Sequence, residues 1–123
     1  TRDYPPEWAN YFSSLTWIRE NTQKDAVVID RKPGFAEFVA GRKALTFPRE
    51  KDPARMLMSF QRSGVTHVVV APLPYDDIQR YLVPAVELEH SFFRLVLQTP
   101  EPTAYVFEFH PGAGLETKPP GGR

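Results

Sequence analysis

The sequence has no cysteine and no surplus of charge: 15 Lys and Arg face 15 Asp and Glu in 123 residues. Without cysteine there is no disulfide framework, no thiolate metal site and no cysteine nucleophile. Without net positive charge a general nucleic-acid binder is disfavoured, because such proteins carry an excess of Lys and Arg against phosphate. No stretch approaches the roughly 18 apolar residues of a membrane helix, and nothing near the start has the order of a signal peptide. Neither Asn10 nor Asn21 begins a glycosylation acceptor. Thr1 stands where an initiator Met would, which predicts an excised or processed piece of a longer chain.

What is abundant is proline, 13 residues against a usual proportion of about 5%. Hydrophobic residues make up 41% and aromatics 13%, enough for a real core, so the prolines are read as punctuation. Prolines 33, 48, 53, 72, 74, 100 and 102 fall at predicted element boundaries. Residues 1–110 read as a single α/β domain. Residues 111–123, with four glycines and three prolines, read as a tail or linker too poor in apolar surface to offset its ordering entropy.

Trp8, Tyr11, Phe12, Leu15 and Ile18 recur at intervals of three and four, which predicts a helix with one buried face. Ala26–Asp30, Lys43–Phe47 and Val65–Ala71 are short, β-branched-rich runs that predict strands. Between the first two, Phe35, Phe38 and Val39 suit two turns of helix, with Gly41 as its left-handed cap. Asp52-Pro53 starts another helix, with Met56, Leu57 and Phe60 as its buried stripe, and Gly64 ends it. Asp76-Asp77 opens the next, which Pro84 should kink or restart. Residues 92–98 and 104–109 predict an antiparallel hairpin. The alternation predicts an α/β fold: a mostly parallel central sheet, helices on both faces and a C-terminal antiparallel hairpin edge.

In such a sheet ligands bind outside the carboxyl ends of the strands. Asp30, Arg31 and Lys32 follow the first strand, Arg49 follows the second, and Tyr75 lies beyond the third. With Arg42 these form the candidate anion or ligand contacts. One glycine, Gly34, makes no dinucleotide fingerprint, and there is no P-loop and no nucleophile elbow. His67, His90 and His110 are too far apart for a metal pattern, and Asp76-Asp77 reads as helix-start chemistry before it reads as an ion site. No catalytic residue, metal or cofactor is assigned. The balanced charge hides segments: residues 31–62 carry a net +5 and residues 63–116 a net −5. The positive middle is either an ordinary solvated face or one turned toward phosphate.

The string TWIRENTQKDAVVIDRKPGFAEFVAGRKALTFP resembles a segment of large multi-pass membrane glycosyltransferases of the GT-C type, the dolichyl-phosphate-mannose mannosyltransferase-like enzymes and related bacterial members. The shared features are Trp17-Ile18, Asn21-Thr22, Asp25, Val27 to Asp30, Gly41-Arg42 and Phe47-Pro48, then Gly64 to Val70. The resemblance spans roughly residues 8–110. It implies a non-catalytic, extracytoplasmic (periplasmic) C-terminal domain, for acceptor recognition or structural support. Its partners would be the transmembrane portion of the same polypeptide and, at the basic segment, lipid phosphate or acceptor substrate. The family's catalytic carboxylates lie in loops between membrane helices, which this sequence does not contain. The alternative is a free-standing small-ligand or nucleotide-binding α/β module with a site around Asp30, Arg31 and Tyr75.

Overall fold

The computed structural model describes residues 4–112. Most of the predicted 111–123 tail therefore lies outside the described residues. Helix α1, Pro6–Asn21, starts on a proline whose missing N–H costs nothing there. It buries Tyr11, Ser14, Leu15 and Ile18. Strand β1 is Val27–Ile29, and β2 is Lys43–Leu45. Between them α2, Pro33–Phe35, widens into a π-type turn, Ala36–Ala40, which Gly41 ends at φ +66°.

The segment is helical as expected, and Val39 packs against the core, but the two phenylalanines do not turn inward. Ala36 and Ala40 are fully buried, whereas Phe38 is 87% exposed and Phe35 39%. Helix α1 packs directly on this turn, and close packing of two helical segments calls for small side chains at the contact.

Helix α3, Pro53–Arg62, is capped by Asp52, whose carboxylate accepts the Ala54 N–H. Met56, Leu57 and Phe60 are its buried stripe as predicted. Strand β3 is His67–Val70. The helix after it is split at Pro84, which has no N–H to return to Arg80. A π-type turn, Ile78–Leu82, carries the Val83 N–H back to the Ile78 carbonyl, and α4, Val83–Leu88, restarts with Pro84 in its first turn. A single 3₁₀ turn, His90–Phe92, leads into β4, Phe93–Gln98, and β5 is Tyr105–Phe109.

The sheet order is β2-β1-β3-β5-β4. β1 pairs parallel with β2 and β3, while β5 pairs antiparallel with β3 and with β4. The sheet is therefore mixed, half its pairings antiparallel, and not mostly parallel as expected. The last strand does not form the edge either. β5 inserts beside β3, with Ala104, Val106 and Phe109 buried, and leaves β4 outside with Arg94 and Leu95 exposed. The strand whose Val106 and Phe109 are buried takes the covered position, and the edge strand carries an irregularity between Leu95 and Leu97.

The crossovers from β1 to β2 and from β2 to β3 run in opposite directions across the sheet. Right-handed connections then place α2 and α3 on opposite faces. α1 packs with the turn following α2, and α4 packs with α3, so both faces are covered.

Candidate functional site

The site is set by β1 and β3. These parallel neighbours feed helices on opposite faces, so their chains diverge at the carboxyl ends and leave a crevice there. Asp30 follows β1 directly, its N–H bonded to the Leu45 carbonyl at 2.9 Å. Its side chain is fully buried. Tyr11, on the buried face of α1, donates its hydroxyl to Asp30 Oδ2. Oδ1 is buried with no hydrogen-bond partner.

Burial raises the Asp30 carboxyl to about 7. The Tyr11 hydroxyl, the N–H groups of Lys32 and Arg31 and the Arg31 charge oppose that rise but do not cancel it. These N–H groups lie near enough to favour the charged form, yet neither completes a hydrogen bond to Oδ1. Tyr11 is itself driven upward, first by burial and then by the carboxylate beside it. The pair therefore holds one proton more firmly than exposed groups would, and its protonation changes near neutral pH.

Arg31 turns the other way. Its Nε donates to Asp77 Oδ1 at 2.9 Å, and its guanidinium lies 4.2 Å from the Tyr75 ring centre. Arg49, beyond β2, brings an Nη2 within 3.9 Å of Asp77 Oδ2. Lys32 Nζ is 5.5 Å from the centre of the Tyr75 ring and 5.9 Å from that of Phe35. Arg31, Arg49, Tyr75, Asp76, Asp77, Arg80 and Tyr81 line a small cleft of about 140 Å³. A groove of about 490 Å³ adjoins it through Arg31, lined also by Lys32, Phe35 and Phe38.

Five of the six expected contacts thus cluster at one end of the sheet: Asp30, Arg31, Lys32, Arg49 and Tyr75. Arg42 does not join them. It precedes β2, so in a parallel sheet it lies at the opposite end. There its guanidinium donates to Thr22 Oγ1 and to the carbonyls of Arg19, Thr22, Ala40 and Gly41. It closes the carbonyl end of α1, where a cation is favoured. The Asn-Thr and Gly-Arg phrases, twenty residues apart, meet in this contact.

Asp77, expected as helix-start chemistry, makes no side-chain cap. It anchors Arg31 instead, and its place just past β3 was the available signal. Asp76 pairs with Arg80 at 2.8 Å on the surface. Among the described residues no three His, Asp or Glu are grouped to hold a metal. His67 Nδ1 lies 2.8 Å from Thr66 Oγ1, and burial lowers its pKa. A larger concavity, about 850 Å³, lies elsewhere, between α4 and the hairpin, over Tyr105 and Phe107. No motif pointed to it.

No protein-family model and no curated protein matches the chain. Among solved structures it is similar to the C-terminal globular domain of an oligosaccharyltransferase from Archaeoglobus fulgidus. That match has a TM-score of 0.58 at 14% identity and covers 88% of this chain and 99% of that one. At this identity the likeness is one of fold.

Proposed function

We propose that this chain is a non-catalytic accessory domain of a membrane-embedded glycosyltransferase that uses a lipid-linked sugar donor. It sits on the extracytoplasmic face, joined to a transmembrane portion of the same polypeptide, and supports that portion or helps recognise the acceptor. The observation that carries this reading is the fold likeness over nearly the whole of both chains. The phrase from Trp17 to Pro48 supports it, since its Thr22 and Arg42 make a specific contact in space. No described helix is long and apolar enough to cross a membrane, so in this reading the anchor lies outside these residues.

The parent reading frame tests it. Eight or more apolar segments of about 20 residues upstream of Thr1 are expected; a short soluble leader there overturns the reading. The chain by itself is expected to show no turnover of a polyprenyl-phosphate sugar.

One observation favours a second reading, a small-ligand or nucleotide-binding module. Asp30 Oδ1 is buried and unpartnered where α/β sheets bind ligands. Nucleotide-dependent thermal stabilisation that is lost in Arg31→Ala would support it.

A further inference from the structure

Six large apolar side chains are exposed among the described residues, and three of them, Tyr4, Phe35 and Phe38, belong to one neighbourhood. Phe35 is held from behind by a lattice of rings. Its centre lies 5.6 Å from Phe12, 5.9 Å from Trp8 and 6.5 Å from Tyr11, all edge-on. Tyr4 extends the same lattice, 5.2 Å from Phe12. Phe38 stands free on the next turn, 87% exposed, on a segment whose buried side is only Ala36 and Ala40. A single exposed ring is unremarkable, but a rigidly backed group of them marks a contact surface.

The groove beside these rings is lined by charge of one sign. The 490 Å³ groove is lined by Arg31, Lys32, Pro33, Gly34, Phe35 and Phe38, two cations and no acid. Arg19 adds a third cation at the turn, donating to the Val39 carbonyl at 3.2 Å. Glu37 projects from the same turn but does not line the groove. A protein partner would have to meet protruding rings with a matching pocket. A bilayer surface needs no pocket: rings enter the headgroup–acyl boundary while neighbouring cations meet lipid phosphate.

We propose that the face built from Phe35, Phe38 and Lys32 docks on an anionic bilayer surface, with Phe38 inserting and Lys32 taking lipid phosphate. The inference rests on the reading of the chain as a membrane-attached domain, and it names the side of the domain that is turned to the lipid. Because α1 begins among these same rings, that side is also where α1 enters the domain.

The test uses the 123-residue chain with mixed phosphatidylcholine–phosphatidylglycerol vesicles and with pure phosphatidylcholine vesicles. Binding is followed by co-sedimentation and, in a Trp17→Phe background so that one indole remains, by Trp8 emission, since that indole lies against Phe35. Binding to the anionic vesicles with a blue shift is expected. Phe38→Ser should weaken it on the order of tenfold. Lys32→Glu should remove the preference for anionic lipid, by about tenfold or more. Both substitutions are at exposed or half-buried positions, and circular dichroism checks that the fold is kept.

Absence of binding to the anionic vesicles overturns the proposal. So does binding that Phe38→Ser leaves unchanged, or a concentration-dependent dimer that Phe38→Ser abolishes, which would make the face a contact between copies. These failures leave the accessory-domain reading standing, because that reading is tested by the parent reading frame.

Discussion

Tyr11 donates its hydroxyl to a buried carboxylate, that of Asp30, whose other oxygen has no hydrogen-bond partner. One residue lies in the middle of a helix and the other at the end of a strand, 19 positions apart. Tyr11→Phe keeps the ring but leaves the Asp30 carboxyl without its side-chain partner. The cost should be about 1–3 kcal/mol, the range for an unsatisfied buried group. Urea unfolding at neutral pH measures it. A loss well below that range would mean that water reaches Asp30 once the hydroxyl is gone.

The same pair gives stability a pH dependence of known sign. The folded Asp30 carboxyl titrates near 7, above its ordinary value of 3.8. The native state therefore holds a proton that the unfolded state has lost, and stability falls as pH rises from about 4 to about 7. Asp30→Asn cannot titrate. Its stability relative to the parent should climb over that window by up to about 4 kcal/mol, then level off. The comparison should be made as a difference between the two proteins, because Glu108 acts the other way. His110 and Arg94 hold its carboxyl below the usual value despite partial burial, so its contribution is present above about 4.5 and lost below. A pH-independent difference would show that Asp30 titrates normally.

Arg42 is expected to matter for stability and not for ligands. It satisfies carbonyls at the end of α1 and of the turn before β2, with donors at 3.0–3.3 Å. Arg42→Ala should cost about 2–3 kcal/mol, as loss of several charge-assisted bonds implies. Arg42→Lys should recover only part, since an ammonium cannot reproduce the planar fork. Neither should change vesicle binding. Thermal unfolding and co-sedimentation together separate the two effects.

Sequence pattern revealed this fold unevenly, for physical reasons. Elements with a local cause were legible. The 3–4 spacing marked α1, the Asp52-Pro53 start marked α3, and Gly41 was found where a left-handed cap is needed. Strand order was not, because it depends on which non-local neighbour best covers each strand. β5 displaces β4 from the interior through Val106 and Phe109, a comparison that no local window makes. The inversion at Phe38 has the same origin. A helical stripe shows which residues share a side, but α1 decides which side is inward, and the contact favours alanine. At the site, the strand-end rule placed Asp30, Arg31, Arg49 and Tyr75 together correctly in space. Applied strictly it would also have excluded Arg42, which comes before its strand and not after it.

Gly41 offers a clean test of backbone cost alone. It sits at φ +66°, and a Cβ added there would meet nothing within 4 Å. Gly41→Ala should therefore lose about 1 kcal/mol through conformation only. Gly41→Asn should lose less, since asparagine tolerates the left-handed region better. Equal losses for the two, read from urea midpoints at constant slope, would mean that the turn shifts away from that conformation.

Asp77 governs how much positive charge the strand ends present. It holds Arg31 at 2.9 Å and faces Arg49 at 3.9 Å, so the cleft is closer to neutral than its three arginines imply. The Arg31 and Asp77 side chains are 27% and 14% exposed, and Arg49 is 74% exposed. The pair with Arg31 is half-sheltered and the one with Arg49 contributes little, so Asp77→Ala should cost no more than about 1 kcal/mol. The freed guanidinium then gains access to an anion. At a few ångströms and with water screening the open cleft, removing one opposing charge is worth about 1 kcal/mol, or several-fold in affinity. Calorimetry with inorganic pyrophosphate should show tighter binding to Asp77→Ala than to the parent chain, weaker binding to Arg31→Ala, and a gain that shrinks as salt is raised. If Asp77→Ala binds no better than the parent, Arg31 is held by the Tyr75 ring and not by the carboxylate, and the cleft is a structural clasp.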